Sequence, residues 1–272
     1  MDTRTTAARL VAHLTAVGPV AVAFSGGVDS ALVLAAAVRA CGPDAVLAVT
    51  ADSASLAAAE LTNAVGFAAR LGVRHLTPET AELDNPAYTA NGRDRCYFCK
   101  STVLDTITAV ARDNGVDAVA TGVNADDAVD PFRPGIRAGE EIGVHTPLRD
   151  NGMTKADVRA VSLLWNLSTW DKPAMPCLAS RVRYGVTITP ARLARVERAE
   201  VAVRAWLVGA GTPTRDLRVR DLGGIGRVEL DSNLVGRPEI GLALVEVVRG
   251  AGFDDVEIAV FRSGFLNQEL IR

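Results

Sequence analysis

Short apolar runs alternate with longer segments of helical period through the first two thirds of the chain. The runs that predict strands are 19–24, 45–51, 73–79 and 117–123, with a further extended segment at 141–148. The segments that predict helices are 28–40, 54–72 and 101–114. Because strands that alternate with helices build βαβ units, this order predicts an α/β fold with a mostly parallel sheet covered by helices.

The order of elements changes after about residue 185. A helix over 189–211 is followed by a hairpin-like pair of strands within 216–231, a helix near 238–251 and a last strand at 255–261. Helix, two strands, helix and strand form the order of a small α+β module. We therefore expect two domains, 1–184 and 185–272.

Composition fits this architecture and argues against several classes of protein. The chain has 272 residues, of which 49% are hydrophobic and 22% charged, as in a soluble globular protein. A net charge of −3 and a pI near 5.7 argue against a broad basic surface for nucleic acid, and no run of about 18 apolar residues predicts a membrane span. The N-terminus lacks a signal-peptide layout, so we expect a cytoplasmic protein without a nucleic-acid or membrane partner.

The hexapeptide SGGVDS follows the first predicted strand and opens a helix. Gly26 and Gly27 let the backbone approach an anion closely, and the helix N-terminus offers N–H groups and a positive dipole end. Between Ser25 and Ser30, Asp29 would repel a bare pyrophosphate but can ligate a Mg2+ ion that joins it to the phosphates. The alternative is an ordinary strand–helix turn with a Ser/Asp cap. Because the three lysines, at 100, 155 and 172, lie outside the loop, phosphate contact there must fall mainly to backbone N–H groups.

In this strand–turn–helix context, SGGVDS resembles the PP-loop of the N-type ATP pyrophosphatases. The resemblance covers about the first half of the chain and implies an adenine nucleotide α-hydrolase-like domain. Such a domain binds ATP, transfers AMP to a substrate oxygen and holds the released pyrophosphate. Thr50, Ala51 and Gly122, at predicted strand ends, would border the adenosine. Asp126 and Asp127 are either a helix cap or part of the metal and nucleotide site.

Four cysteines in a chain of this length do not indicate a disulfide scaffold, so their placement carries the information. Cys96 and Cys99 form a C-x-x-C pair in DRCYFCK, and Cys177 lies in KPAMPCLASR. Three thiolates can hold a 4Fe-4S cluster with one iron open. A redox pair or another metal site is the second interpretation, and buried structural thiols are the third. Cys41, just after a helix, is expected to be a buried small hydrophobe.

The segments DRCYFCK, TGVNADDAVDPFRPGIRAGEEIGVHTPL, TKADVRAVS, WDKPAMPCLASRVRYG and LRVRDLGGIGRVEL together resemble the LarE family. This resemblance implies an ATP-dependent sulfur transferase that helps to build the nickel-pincer nucleotide cofactor. Such an enzyme adenylates each carboxylate of pyridinium-3,5-biscarboxylic acid mononucleotide and converts it to a thiocarboxylate. The sulfur would come from Cys177 as a sacrificial donor, or from a 4Fe-4S cluster on Cys96, Cys99 and Cys177.

Residues of the second half are candidates for binding the substrate. Ser180, Arg181, Arg218 and Arg220 would bind its phosphate, because guanidinium forks match phosphate oxygens and RVR on a strand places both arginines on one face. A charged outer face of the hairpin is the alternative for these arginines. Glu229 resembles a site acid of the family or pairs with one of the strand arginines. Lys155 and Lys172 are further site candidates.

Three other functions compete with the sulfur transferase. A PP-loop tRNA thiolase would need an RNA-binding surface, which neither charge nor sequence indicates. An amide-forming enzyme of the NAD or GMP synthetase type would not require Cys177. A regulatory nucleotide-binding module would not need the intact Asp29 and CLASR. The expected partners are the small nucleotide substrate, further copies of the chain in a homo-oligomer, and a protein that delivers sulfur.

Overall fold

A computed structural model describes residues 2–128 and 134–268 of the chain. Their contacts divide the chain into two compact units. The first unit comprises Met1–Glu82 and Cys96–Ala174, and the second comprises Leu83–Arg95 and Met175–Arg272. The boundary expected at residues 184 and 185 lies further along the chain than this division, and it stays a prediction.

The described residues form thirteen α-helices and seven strands. The helices are α1 Thr3–Val17, α2 Val28–Cys41, α3 Ala58–Arg70, α4 Pro86–Thr89, α5 Arg95–Asp113, α6 Ala125–Ala128, α7 Gly135–Ile142, α8 Pro147–Asp150, α9 Lys155–Leu164, α10 Pro190–Gly209, α11 Ser232–Val235, α12 Pro238–Gly250 and α13 Phe265–Gln268. The strands are β1 Val20–Ala23, β2 Val46–Val49, β3 Arg74–Leu76, β4 Ala118–Ala120, β5 Arg218–Asp221, β6 Ile225–Leu230 and β7 Asp255–Val260. Short 3₁₀ helices lie at Pro43–Ala45, Glu82–Asp84 and Leu178–Arg181.

The first unit is built on a four-stranded parallel sheet in the order β3-β2-β1-β4. This confirms the predicted α/β fold with a parallel sheet. The chain leaves β1 toward β2 on one side and later returns to β4 on the other side. Ligands of open parallel sheets bind beyond the carboxyl ends of the strands where the order reverses, and here that point follows β1. The glycine loop therefore begins where the fold favours a binding site.

Helices cover both faces of this sheet. Alternate side chains of β1 point to opposite faces, so Val20 and Val22 belong to one apolar cluster and Ala21 to another. The first cluster includes α1, α2 and α9, which pack on one another, and the second includes Ile107 and Ala111 of α5. Nine residues of α2 are buried, which fixes this helix, and with it the glycine loop, against β1.

The expectation of an extended segment at 141–148 is wrong for most of its length. Helix α7 continues to Ile142, and Pro147 begins α8 because its fixed backbone angle suits the first position of a helix. Between them only His145 pairs with β4, through an isolated bridge to Ala120. Helix α5 also starts earlier than the sequence indicates, at Arg95, so the C-x-x-C pair lies within the helix, near its start.

The second unit contains the predicted second sheet. Strands β5 and β6 pair antiparallel as a hairpin, and β7 pairs parallel to β6. Helix α10 packs on β5 and α12, and α12 packs on β7, so the helices and the sheet enclose a separate core. Across the described parts of both units, no helix is long and apolar enough to cross a membrane.

Candidate active site

The loop between β1 and α2 leaves the start of α2 open. Gly26 has a φ of +70°, a left-handed conformation that glycine adopts without strain, and Gly27 precedes the helix in an extended conformation. As the N-cap residue, Gly27 has no side chain that could cap this helix start. The first N–H groups of a helix have no partner within the helix, so an anion can bind them here.

Two serines tie the loop to itself. The Ser25 backbone N–H donates to Ser30 Oγ over 3.2 Å, and the two hydroxyl oxygens lie 3.1 Å apart. Ser30 Oγ also donates to the Gly27 carbonyl over 3.2 Å. The Gly27 N–H approaches Ser25 Oγ at 3.4 Å, a long contact that a stronger acceptor can replace. The serines therefore hold the loop in an anion-binding shape.

Asp29 is engaged through both of its carboxylate oxygens. The Asn124 side-chain amide donates to Oδ1 over 3.1 Å, and the Lys155 ammonium forms an ion pair with Oδ2. The carboxylate is an oxygen ligand of the kind that Mg2+ prefers. Asp29 therefore fits a magnesium site in which the ion would replace the Lys155 ammonium at the carboxylate. Within the described ranges no group of three His, Cys, Asp or Glu residues could hold a metal ion.

The glycine loop contains no lysine of its own, but a second lysine besides Lys155 contacts it from a distant part of the sequence. Lys172 Nζ donates to the Gly26 carbonyl over 2.9 Å and forms an ion pair with Glu60 over 2.8 Å. The two side chains are 17% and 12% exposed, so the pair is largely shielded from water. Two of the three lysines of the chain thus contact the loop or its aspartate, although both are distant in sequence.

Gly122 and Thr50 lie just beyond the ends of the strands that flank the loop, β4 and β2. A Cβ atom on Gly122 would lie 2.7 Å from the Ser30 nitrogen, so the end of β4 can pass the start of α2 only as glycine. Thr50 Oγ1 donates to the Phe24 carbonyl over 2.6 Å and lies 2.8 Å from His75 Nε2. Burial lowers the pKa of His75. Thr50 therefore links β2 to β1, and Ala51 follows it at the strand end.

Replacing Gly122 with alanine should separate β4 from the start of α2. The new methyl group would overlap the backbone of Ser30 and Asp29, so we expect a loss of about 1–3 kcal/mol in unfolding free energy, from overpacking. Thermal or urea unfolding measures this loss. Gly18→Ala is unsuitable as a control because its φ is +82°, whereas Gly66→Ala is suitable, since its Cβ would meet only a flexible arginine tip at 3.6 Å. Equal stability of the two variants would contradict the prediction.

Asp126 and Asp127 make the contacts of helix caps. The Asp127 N–H donates to Asn124 Oδ1 over 3.0 Å, and the Asn124 N–H approaches Asp127 Oδ2 at 3.4 Å, as in a capping box. Asp126 Oδ2 accepts the Lys155 backbone N–H over 2.8 Å and so links α6 to the start of α9. These contacts correspond to the helix-cap alternative, and they also place Asn124 and Lys155 beside Asp29.

The three candidate ligand cysteines are divided between the units. Cys96 and Cys99 lie half-buried near the start of α5, on one face of the helix because they are three residues apart. Cys99 Sγ lies 4.0 Å from the buried carboxylate of Glu82, and burial lowers the pKa of the adjacent Lys100. Cys177 belongs to the second unit and is exposed. Two thiols fit part of a 4Fe-4S ligand set, and the cluster stays a prediction.

Cys41 makes the contacts expected of a structural thiol. It packs against the core around α1 and α2, and its Sγ lies 3.3 Å from the Gly18 carbonyl oxygen and 3.7 Å from that of Leu14. Cys41 is half-buried where full burial was expected, and a thiol in such contacts behaves as a small hydrophobe with a weak donor.

Arg181 is fully buried beside Cys177 in the second unit. Its Nε donates to Glu200 Oε1 over 2.9 Å, and its Nη1 donates to the carbonyls of Pro176 and Cys177. Ser180 Oγ donates to the same Cys177 carbonyl over 2.7 Å. Arg181 and Ser180 thus fix the backbone that carries the exposed thiol.

The arginines of β5 are buried and do not form an exposed outer face. Arg220 pairs with the buried Glu229 over 2.8 Å, which is one of the alternatives that the sequence left open. Burial, with the charges of Arg181 and Arg220 nearby, lowers the pKa of Arg218 to about 10. The buried guanidinium groups of this unit thus have carboxylates as neighbours: Glu200 for Arg181, Glu229 for Arg220, and Glu200 and Asp216 for Arg218.

Sequence reasoning missed Glu60, Asn124 and Glu200. Glu200 had a detectable signal, because it occupies a position on the apolar face of α10 among buried residues such as Val196 and Val203. Asn124 directly precedes Ala125 and the two aspartates of the NADD segment, and its amide side chain carries no charge that would mark it as a site residue. Glu60 is one of many acids on helices, and only its contact with Lys172 distinguishes it.

Comparison with known proteins gives matches over part and over nearly all of the chain. Residues 8–98 match the NAD synthase family. An uncharacterised protein of Synechocystis is 40% identical over 256 residues, which is 92% of each chain. The pyridinium-3,5-bisthiocarboxylic acid mononucleotide synthase of Lactiplantibacillus plantarum is 33% identical over 270 residues, or 97% of this chain and 95% of the relative. An uncharacterised protein of Methanocaldococcus jannaschii is 26% identical over 78% of each chain.

Proposed function

The chain belongs to the family of the LarE-type pyridinium-3,5-bisthiocarboxylic acid mononucleotide synthases, and from this premise we propose that it is an ATP-dependent sulfur transferase. Its substrate would be pyridinium-3,5-biscarboxylic acid mononucleotide, and its product the bisthiocarboxylic acid. The observation that carries this proposal is the open start of α2 beside Asp29, where Lys155 pairs with Asp29 and Lys172 contacts the glycine loop. That combination suits pyrophosphate as a leaving group.

The first reaction would be adenylation. A carboxylate oxygen of the substrate attacks the α-phosphorus of ATP, the bond from that phosphorus to its bridging oxygen breaks, and pyrophosphate leaves with the electron pair. The N–H groups around Gly27 and the dipole of α2 would bind the negative charge that develops on the pyrophosphate. Mg2+ on Asp29 would neutralise phosphate charge, and Lys155, released from Asp29, can pair with a phosphate oxygen.

The second reaction would move sulfur to the activated carbonyl. The Cys177 thiolate attacks this carbon, the bond to AMP breaks, and a thioester forms. Loss of the Cys177 α-proton then lets the Cβ–Sγ bond break, which leaves a thiocarboxylate on the substrate and dehydroalanine in the chain. Cys177 is exposed, as an attacking thiol has to be. Each chain would supply one sulfur in this route, so the second carboxylate would need a second chain.

A 4Fe-4S cluster is the alternative sulfur donor. Cys96, Cys99 and Cys177 would be its ligands, and when bound it would supply a sulfide that is replaced after each turnover. The placement of Cys96 and Cys99 three residues apart on one helix supports this alternative. The two donors differ in whether Cys96 is needed.

The substrate phosphate would bind near Cys177 in the second unit. Arg181 and Ser180 contact the Cys177 backbone, and Arg218 and Arg220 lie buried on β5. A phosphate would offset the mutual repulsion and burial that lower the pKa of Arg218. Glu229 would then act as the acid that orients Arg220.

Exchange of labelled pyrophosphate into ATP tests the proposal, because only reversible AMP transfer produces it. We expect exchange with pyridinium-3,5-biscarboxylic acid mononucleotide and none with tRNA or with nicotinic acid adenine dinucleotide. Exchange with the dinucleotide would instead favour an amide-forming enzyme, a possibility raised by the NAD synthase match over residues 8–98. Exchange that requires tRNA would favour a thiolase, and no exchange with any substrate would contradict adenylation.

A further inference from the structure

The Gly26–Gly27 peptide is the most easily rotated part of the glycine loop. Glycine has access to both signs of φ, and two glycines in succession place few limits on the peptide plane between them. In a trans peptide the carbonyl of one residue and the N–H of the next point in opposite directions. Whatever holds the Gly26 carbonyl therefore decides where the Gly27 N–H points.

Lys172 holds this carbonyl from a distant part of the sequence. Its Nζ donates to the Gly26 oxygen over 2.9 Å, across a separation of 146 residues. The Gly27 N–H then points the other way, toward Ser25 Oγ at 3.4 Å, on the side where the serines and the start of α2 gather. That side is the one where an anion would bind the helix start.

Glu60 keeps the Lys172 ammonium in this position. It stands in the first turn of α3 and pairs with Nζ over 2.8 Å. To contact a phosphate directly, Lys172 would have to leave a carboxylate that is only 12% exposed, and an unpaired carboxylate there is costly. The geometry thus favours a lysine that positions the loop over a lysine that binds the phosphate.

The backbone of Lys172 is itself anchored. Arg159 of α9 donates to the Lys172 carbonyl over 3.0 Å and to the Trp170 carbonyl over 2.7 Å. The Lys172 N–H donates to the Thr169 carbonyl over 3.1 Å. The turn that carries the lysine is therefore fixed to α9, whose first residue is Lys155. One helix supports both lysines that reach the loop.

We propose that Lys172 is a positioning residue of the nucleotide site, which together with Glu60 fixes the Gly26–Gly27 peptide so that the Gly27 N–H faces the pyrophosphate. The inference rests on the proposed function, since it assumes that the loop binds pyrophosphate. It assigns to Glu60 a role in nucleotide binding, although its carboxylate is an anion close to an anion site.

The sign of the Glu60 effect separates positioning from direct contact. If the pair positions the loop, Lys172→Met and Glu60→Gln should each weaken binding of magnesium pyrophosphate and of magnesium ATP about tenfold, the scale of one well-oriented hydrogen bond. The double variant should bind with about the affinity of whichever single variant binds less tightly, because both substitutions remove the same restraint. Lys172→Arg, which retains charge and donors, should recover part of the affinity.

Isothermal titration calorimetry of the full chain measures these affinities, and thermal unfolding shows whether each variant folds. Glu140→Gln is the matched control, since Glu140 forms an exposed pair with Arg149 at 2.7 Å in the same unit. Its affinities should equal those of the wild type. This control shows whether a loss of affinity comes from breaking the Lys172–Glu60 pair or from removing any carboxylate of the unit.

Three results would overturn the inference. Tighter or unchanged binding by Glu60→Gln with weaker binding by Lys172→Met would mean that the lysine contacts phosphate directly. Additive losses in the double variant would mean that the two residues act separately. Failure of the wild type to bind either magnesium pyrophosphate or magnesium ATP would overturn the proposed function as well, and only this result would do so.

Discussion

Replacing Cys177 with alanine should abolish formation of thiocarboxylate and leave pyrophosphate exchange into ATP near the wild-type rate. The thiol is required by both candidate donors, as the attacking sulfur or as a cluster ligand, so we expect product to fall by about a thousandfold or more. The proposed adenylation would use the glycine loop in the first unit, whereas Cys177 belongs to the second. Mass spectrometry of the thiocarboxylate product and the exchange assay measure the two reactions separately.

Cys41→Ala is the matched control for this experiment. It removes a thiol that lies beside the backbone carbonyls of Leu14 and Gly18, in the first unit, so sulfur transfer should persist with a small loss of stability. Sulfur transfer at the wild-type rate by Cys177→Ala would contradict both routes. Loss of exchange in a folded Cys177→Ala protein would show that the thiol also acts in adenylation.

Cys96→Ala then distinguishes the two donors. If Cys177 donates its own sulfur, the Cys96→Ala variant should still transfer one sulfur per chain. In the wild type, Cys177 should then become dehydroalanine. If a cluster is the donor, the wild type purified without oxygen holds about four irons and four sulfides per chain. The Cys96→Ala variant then loses both the metal and the activity.

Local patterns were enough to predict the sheet and the loop. The strand before SGGVDS, the helix after it and the hairpin that turns at Gly223 and Gly224 depend on residues close in sequence, and all three form as expected. The segment 141–148 failed because its apolar residues suited a strand, whereas Pro147 begins a helix there. Short apolar runs do not by themselves distinguish these outcomes.

The electrostatic partners of the site could not be predicted from the sequence, because they come from distant elements. Lys155 and Lys172 were recognised as candidates, but their contacts with Asp29 and Gly26 depend on how α9 packs against α2. For Arg218, the alternation in RVR predicted a shared face with Arg220 but not that both would be buried. Burial of charge depends on partners such as Glu229, whose pairing with a strand arginine the sequence left as one of two alternatives.

Replacing Asp29 with asparagine should reduce pyrophosphate exchange into ATP by about a hundredfold or more, the scale seen when a preorganised charge in an active site is removed. The amide keeps the shape of the side chain and an oxygen for Asn124, but it removes the charge that would bind Mg2+. The exchange rate measured over a range of Mg2+ concentrations should need much more of the ion to approach saturation.

Asp44→Asn serves as the control, because Asp44 is exposed just beyond the other end of α2. Lys155→Met separates the two roles that Asp29 could have. If Asp29 binds Mg2+, Lys155→Met removes a competitor for the carboxylate, so exchange should saturate at lower Mg2+ while its maximal rate falls. If Asp29 only holds Lys155, Asp29→Asn and Lys155→Met should reduce the exchange rate equally and should both show the wild-type dependence on Mg2+. That result would contradict a magnesium-binding role for Asp29.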